Sequence, residues 1–184
     1  MNELPDERLV EAALEGDEEA FIRLIGRYKR RVLNLVARFT LIRDEVDDIC
    51  QEVFIKVYHR LRTYRNDAPF EHWLSRIAVN TCYDALRKKK LTRTYLSSLQ
   101  ALPFEIADPA SEDGQSAKEA YELIYRGLAQ LKAADRLVIT LFELEEKSIR
   151  EIAQLTGWGE SKVKVRAFRA RKALKKILED NDHE

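Results

Sequence analysis

The chain has 184 residues, enough for one domain or two small ones. Its 32 basic and 32 acidic side chains cancel, which excludes a histone-like polycation and an acidic solvating tail, and 6 Gly and 4 Pro are too few for a turn-rich all-β fold. Cys50 and Cys82 form no CxxC pair, no apolar run approaches the ~20 residues of a bilayer span, and the acidic start MNELPDERL is unlike a signal peptide, which leaves a reduced, cytoplasmic, mostly helical protein with no membrane insertion.

Taken in chain order, the apolar positions have helical spacing. Leu9, Val10, Ala13 and Leu14 form a first helix that Gly16 closes in a left-handed conformation. Asp17 is placed to cap the next helix, which buries Phe21, Leu24, Ile25, Tyr28, Val32, Leu35, Val36 and Phe39. A third helix starts near Asp44 and buries Val46, Ile49, Val53, Phe54, Val57 and Leu61. After a polar stretch, Pro69 suits the first turn of a fourth helix, with Trp73, Leu74, Ile77, Ala78 and Ala85 inward and the basic run 87–90 at its end. From 97 to 117 the periodicity fades among Pro103, Pro109 and Gly114, so this stretch is expected to be a flexible linker. Helical spacing returns at Tyr121, Ile124, Leu128 and Leu131, and again from Asp135 to Leu144. The fold class is therefore all-α, with two small helical domains at 1–96 and 118–184 joined by the linker.

Neutral overall, the chain is strongly segregated in charge. Residues 1–20 carry eight acids against one base; residues 21–39 carry six bases and no acid. Five more bases lie within 87–93, and eight lie within 161–178 without an acid, whereas 99–117 holds four acids and no base. One such run is ordinary helix surface. Two, each beside a recognisable motif, point to a polyanion, and the acidic connector repels one.

The C-terminal motif is a helix-turn-helix. Ser148 with Glu151 three residues on is a capping box, opening a short helix with Ile149, Ile152, Ala153 and Leu155. Small Ala153 allows a close crossing, and Gly157 permits a left-handed turn. The second helix begins at 159–161, with an apolar stripe Val163, Ala167, Ala170, Leu174 and Ile177. The N-terminal part of such a helix enters the major groove, which puts Ser161, Lys162, Lys164, Val165, Arg166 and Arg169 near bases and later cations near phosphates.

Four segments, in register over nearly the whole chain, resemble the extracytoplasmic-function (ECF) group of bacterial RNA polymerase sigma factors. Gly16-Asp-Glu-Glu-Ala-Phe21 with Leu24 and Tyr28, the run Asp47–Tyr58, and the run Phe70–Asn80 with Asp84 and Arg87 are similar to region 2. Ser148–Leu174, including Phe168-Arg-Ala-Arg171, is similar to region 4. The resemblance implies that Asp47, Asp48, Gln51, Glu52, Phe54 and Lys56 dock on the core polymerase. Acids at 44–48 also simply favour a helix N-terminus. It implies that Tyr64, Arg65, Asn66, Asp67, Phe70, Trp73, Arg76, Asn80, Arg87 and Lys88 open and hold the minus-ten element, and that Ser161, Lys162, Lys164, Val165, Arg166, Phe168 and Arg169 read a minus-thirty-five element. Aromatics can replace the stacking lost on melting while cations hold phosphates, which suits the first set. Trp73 fits the core equally well, and mid-helix Asn80 wants either an outside partner or an internal hydrogen bond. The implied partners are core RNA polymerase, promoter DNA and an anti-sigma factor.

The alternative from another class is a helix-turn-helix regulator that binds duplex alone. It would need neither the aromatic loop at 64–73 nor the acidic helix at 44–52. His59, His72 and His183 are too scattered for a metal site, no catalytic constellation or phosphate loop stands out, and no cofactor is expected.

Overall fold

The computed structural model describes residues 4–40, 42–88 and 112–181. Expected linker positions 97–111 lie outside the described residues, as do Lys89 and Lys90. Among the described residues the elements are α1 (Asp6–Leu14), α2 (Glu18–Ala37), α3 (Arg43–Arg60), a 3-10 turn (Leu61–Thr63), α4 (Phe70–Lys88), α5 (Glu112–Gln130), α6 (Ala133–Ile139), a π-helical turn (Thr140–Leu144), α7 (Ile149–Thr156) and α8 (Glu160–Asn181). No described residue lies in a strand.

Local chemistry explains most boundaries. Gly16 takes φ 101 after α1, which favours glycine. The Asp17 carboxylate accepts from the Ala20 N–H at 3.0 Å, satisfying one of the orphan donors of α2. The Pro69 carbonyl receives the His72 N–H at 2.9 Å as α4 begins. α5 begins at Glu112, so the expected linker's last six positions are helical. Gly114 and Ser116 are weak helix formers, and they dilute the helical pattern without stopping the helix. α6 runs directly into the π-helical turn, so the segment from Asp135 to Leu144 is helical throughout but widened and underwound at its end.

The core continues from one half of the chain to the other. Leu24, Val36, Phe39, Val53, Val57, Phe70, Leu74 and Ala78 from α2–α4 are buried in one contiguous cluster with Leu137, Val138, Leu141, Ile152 and Val163. A second cluster, Tyr125, Leu128, Leu131, Ile139 and Ala170, joins α5 and α6 to α8. The crossing of α5 and α8 is close at Gly127, where a Cβ would come within 2.9 Å of the Leu174 side chain. α4 packs against α7 and α6, so α4 is both the inner wall of the first half and its contact with the second.

Candidate polymerase and nucleic-acid interfaces

α3 presents one face outward. Asp47, Asp48 and Gln51 are exposed, while Val46, Ile49, Val53 and Val57 are buried. Glu52 turns inward to Lys56 (2.8 Å), which also reaches Thr81 Oγ1 (3.2 Å) on α4. This bond, more than the lysine's charge, holds the Glu52 carboxyl below its ordinary range. Glu52 and Lys56 thus brace α3 on α4, and Phe54 packs against the core. The outward stripe continues through residues that the sequence reading left out. Ile55 and Tyr58 are exposed on α3, and Ile22 on α2 is 67 % exposed, with Phe21 meeting the Tyr58 ring edge-on at 5.3 Å. The signal was the runs Phe21-Ile22 and Val53-Phe54-Ile55-Lys56-Val57-Tyr58, which hold more apolar side chains than one helical face can bury.

The loop before α4 is braced by aromatics. Phe70 is only 1 % exposed and lies 5.4 to 5.5 Å from Tyr28, Tyr64 and Trp73, ring centroid to centroid. Phe70 is therefore a core residue in this conformation and offers no face to a base, a correction to the expectation that it stacks on DNA. Its position explains this, since Phe70, Leu74, Ile77 and Ala78 share the inward stripe of α4. Trp73 and Tyr64 are half-buried against it. The Tyr64 hydroxyl lies 2.8 Å from the Ala68 carbonyl and 2.9 Å from Asn66 Oδ1, and Asn66 itself holds φ 58. Burial, then the acids Glu7, Asp6 and Asp67, raise the Tyr64 hydroxyl's pKa, so it stays a donor. Arg65, Asn66, Asp67, Arg76, Arg87 and Lys88 are exposed around this frame. Asn80 is half-buried and donates to the carbonyls of Arg76 (2.7 Å) and Leu155 (3.3 Å), the internal alternative of the two that its position allowed.

The helix-turn-helix forms as its local signals require. Ser148 Oγ accepts from the Glu151 N–H at 3.2 Å while Glu151 Oε2 takes the Ser148 N–H at 2.8 Å, and Gly157 closes α7 at φ 73. The Ser148 hydroxyl, donating to Glu151 Oε2 at 2.6 Å, and then the Ser148 N–H lower the Glu151 pKa. On α8, Val163 and Ala170 are buried, and Ser161, Lys164, Val165, Phe168 and Arg169 face outward. Phe168 is 71 % and Val165 47 % exposed, an apolar pair set among cations on a helix that could have buried them. Lys162 is exposed but lies over the Trp158 ring, 4.2 Å from its centroid. Arg166 differs from its neighbours. Its Nη1 lies 2.7 Å from Asp135 Oδ1, and its guanidinium sits 5.5 Å from the Trp158 ring centre. Arg166 ties α8 to α6, and its fork is engaged inside the protein, contrary to the expectation of a free base reader. It flanks the inward Val163–Ala167–Ala170 stripe, of which Val163 and Ala170 are buried and Ala167 is half-buried, which is why it turns inward.

Among the described residues no group of His, Cys, Asp and Glu could hold a metal ion, and no helix is long and apolar enough to cross a membrane. The profile of Sigma-70 region 2 matches residues 24–92, and that of Sigma-70, region 4 matches residues 121–174. The chain is 35 % identical over 181 residues to the ECF RNA polymerase sigma-E factor of Escherichia coli, covering 94 % of this chain and 93 % of that one. It is 34 % identical over 182 residues to the RNA polymerase sigma-H factor of Pseudomonas aeruginosa, covering 95 % and 94 %. Among solved structures it is similar to CnrH in complex with the cytosolic domain of CnrY, at 25 % identity and a TM-score of 0.63 over 95 % of this chain and 97 % of that one. At 20 % identity, RpoE of Bartonella quintana shares the fold with a TM-score of 0.58 over 86 % of this chain and 96 % of that one. With both region profiles matched in order and relatives covered almost end to end, the chain belongs to the ECF family of RNA polymerase sigma factors.

Proposed function

We propose that the chain docks on core RNA polymerase through the outward stripe of α3, holds the minus-ten element with the loop 64–69 and α4, and reads the minus-thirty-five element with the outer stripe of α8. The observation that carries this reading is the pair of outward stripes on one chain. The first is Asp47, Asp48, Gln51, Ile55 and Tyr58, acidic at one end and apolar at the other. The second is Ser161, Lys164, Val165, Phe168 and Arg169, apolar within a basic frame. The first fits a protein partner with basic and apolar groups; the second fits a major groove, where cations meet phosphates and guanine edges and apolar side chains meet thymine methyls. A regulator acting on duplex alone has no use for the first.

Recognition is then this chain's contribution, and the chemistry of RNA synthesis is the polymerase's, in the cytoplasm. We assign 1–96 to region 2, 97–117 to the connector and 118–184 to region 4. An anti-sigma factor is the natural further partner, as the similar CnrH is known bound to the cytosolic domain of CnrY, and the Ile22–Ile55–Tyr58 patch is a surface it could share with polymerase. The test is run-off transcription with purified core polymerase. Charge reversal at Asp47 and Asp48, both exposed, should abolish most core binding and leave helicity by circular dichroism unchanged. Equal affinity of wild type and variant for core would refute the docking assignment.

A further inference from the structure

The outward face of α3 carries a regular line of side chains. Asp44, Asp48, Gln51, Ile55 and Tyr58 recur at steps of 4, 3, 4 and 3 residues, and Arg62 follows 4 residues later on the 3-10 turn. All six are exposed, Ile55 at 50 % and Tyr58 at 63 %. Steps of this kind keep side chains on one seam that a second helix can follow, as in a two-stranded coil. The seam is ordered in charge: acids at the N-terminal end, Gln51 and Ile55 in the middle, Tyr58 and a cation at the C-terminal end. That order suits the dipole of α3. The ion pairs of α3 lie on its α4 side, where Lys56 meets Glu52 at 2.8 Å and Asp84 at 3.7 Å. Within the described residues no ion pair engages Asp44, Asp48 or Arg62.

Turned end to end, this seam is its own complement. Two copies laid antiparallel about a point midway between Gln51 and Ile55 set Asp44 of each against Arg62 of the other. They also set Asp48 against a Tyr58 hydroxyl that can donate to it, and Ile55 against the Gln51 stem. A two-fold axis makes each contact twice. Parallel pairing is selected against, because it sets Asp44 and Asp48 against themselves and Arg62 against Arg62. We infer that the free chain self-associates through α3 as an antiparallel, two-fold dimer. One helix face per copy is smaller than a standard interface, so the dimer is a transient one that forms as concentration rises. The inference stands on the seam alone. One consequence rests on the polymerase docking assigned above to the same face: dimer and polymerase then exclude each other, and the dimer is a reserve that core polymerase dissociates.

Sedimentation equilibrium of the full-length chain is the test. The weight-average mass should climb from that of one chain toward that of two between low micromolar and several hundred micromolar protein. Asp44→Lys and Arg62→Glu should each weaken self-association by about tenfold or more, since each turns two exposed attractions into repulsions. An equimolar mixture of the two variants should dimerise again, because each then faces the opposite charge on the other at both ends of the seam. Neither a general loss of solubility nor contact through another face predicts that rescue. Circular dichroism checks that the variants fold. Arg62→Glu lies beyond the end of α3 and decides the matter by itself if Asp44→Lys, a cation in the first turn, unfolds. The mass of one chain at every concentration overturns the inference, as does a dimer that Arg62→Glu leaves at full strength, or a mixture of folded variants no more associated than its components. Added core polymerase should dissolve the dimer into a one-to-one complex. If mixing restores the dimer but polymerase leaves it intact, the docking assignment of α3 fails and the self-association stands.

Discussion

On α8 the stripe Ser161, Val165, Phe168 and Lys172 runs along the outside of the molecule, whereas on α4 Asn80 is engaged by two carbonyls and Phe70 is buried. Both helices carry the residue types expected of a nucleic-acid reader, yet α8 displays apolar side chains and cations together, whereas α4 displays its cations Arg76, Arg87 and Lys88 and keeps Phe70 and Asn80 engaged within the fold. The difference teaches that residue type and spacing nominate a reading surface, and internal partners decide whether it is available. An apolar side chain left exposed on a basic helix has no partner within the fold, which is a stronger sign of an external one than a cation in the same place. Arg166 makes the converse point: a cation at a base-reading position can be spent inside the protein.

The largest expected effect tests whether the halves stand or fall together. Leu141 is fully buried on the π-helical turn, within the cluster shared with α2–α4. Leu141→Ala should destabilise the chain by about 2–5 kcal/mol, the usual range for a buried Leu. Urea unfolding followed by circular dichroism and by tryptophan fluorescence should remain one coincident transition shifted to lower denaturant. If instead α2–α4 amides keep their full hydrogen-exchange protection in the variant, the halves are energetically independent and the shared core is a loose contact.

A smaller effect separates Arg166 from its outward neighbours. Arg166→Ala removes a part-buried, charge-assisted bond to Asp135 and should cost about 1–3 kcal/mol of stability. It should leave base preference on a selected minus-thirty-five duplex unchanged. Phe168→Ala and Val165→Ala should do the reverse. Stability should stay within about 0.5 kcal/mol of wild type, and duplex affinity should fall by about 1–3 kcal/mol at positions where a thymine methyl is read. Replacing thymine by uracil in the duplex should cost wild type affinity and cost Phe168→Ala little. A uracil penalty that survives in both variants would show that neither residue reads a methyl.

Much of the fold was legible because its signals are local. Asp17 and its helix, the Ser148–Glu151 box and the Gly157 turn depend on residues within four positions of one another, and each forms as the pattern requires. The buried stripes of α2, α3 and α8 followed from period alone. What was not legible depends on contacts between distant parts of the chain. Nothing near Arg136 signals that its guanidinium is buried against a carbonyl 97 positions away. Phe70 and Arg166 were open to a better reading, since each sits on or beside the inward stripe of its own helix. Their residue type suggested DNA, and helical position argued for the interior. Ile22, Ile55 and Tyr58 were visible as surplus apolar residues, yet only the structure separates them from the core.

The smallest effect concerns the capping box that places the helix-turn-helix. Ser148→Ala should cost about 1 kcal/mol, the usual loss when an N-cap oxygen is removed. Glu151 adds a pH dependence whose sign follows from its bonds. Its hydrogen bonds from the Ser148 hydroxyl and N–H favour the ionised carboxylate, so its folded pKa lies below the ordinary 4.5. A group shifted this way contributes stability above its unfolded pKa and loses it as pH falls through the folded value. Glu151→Gln keeps an acceptor but carries no charge, so wild type should exceed it in stability at pH 7, and the gap should close on acidification below 4.5. Unfolding of both proteins between pH 7 and pH 3 measures the gap directly. Because Glu151 is exposed, added salt should narrow the gap at pH 7 as well. On α4, where Asn80 caps Leu155 by an uncharged bond, the corresponding change Asn80→Ala should give a stability loss that neither acid nor salt alters. A gap for Glu151→Gln that is flat in both pH and salt would mean that the box holds α7 by geometry alone, as Asn80 does from the other side.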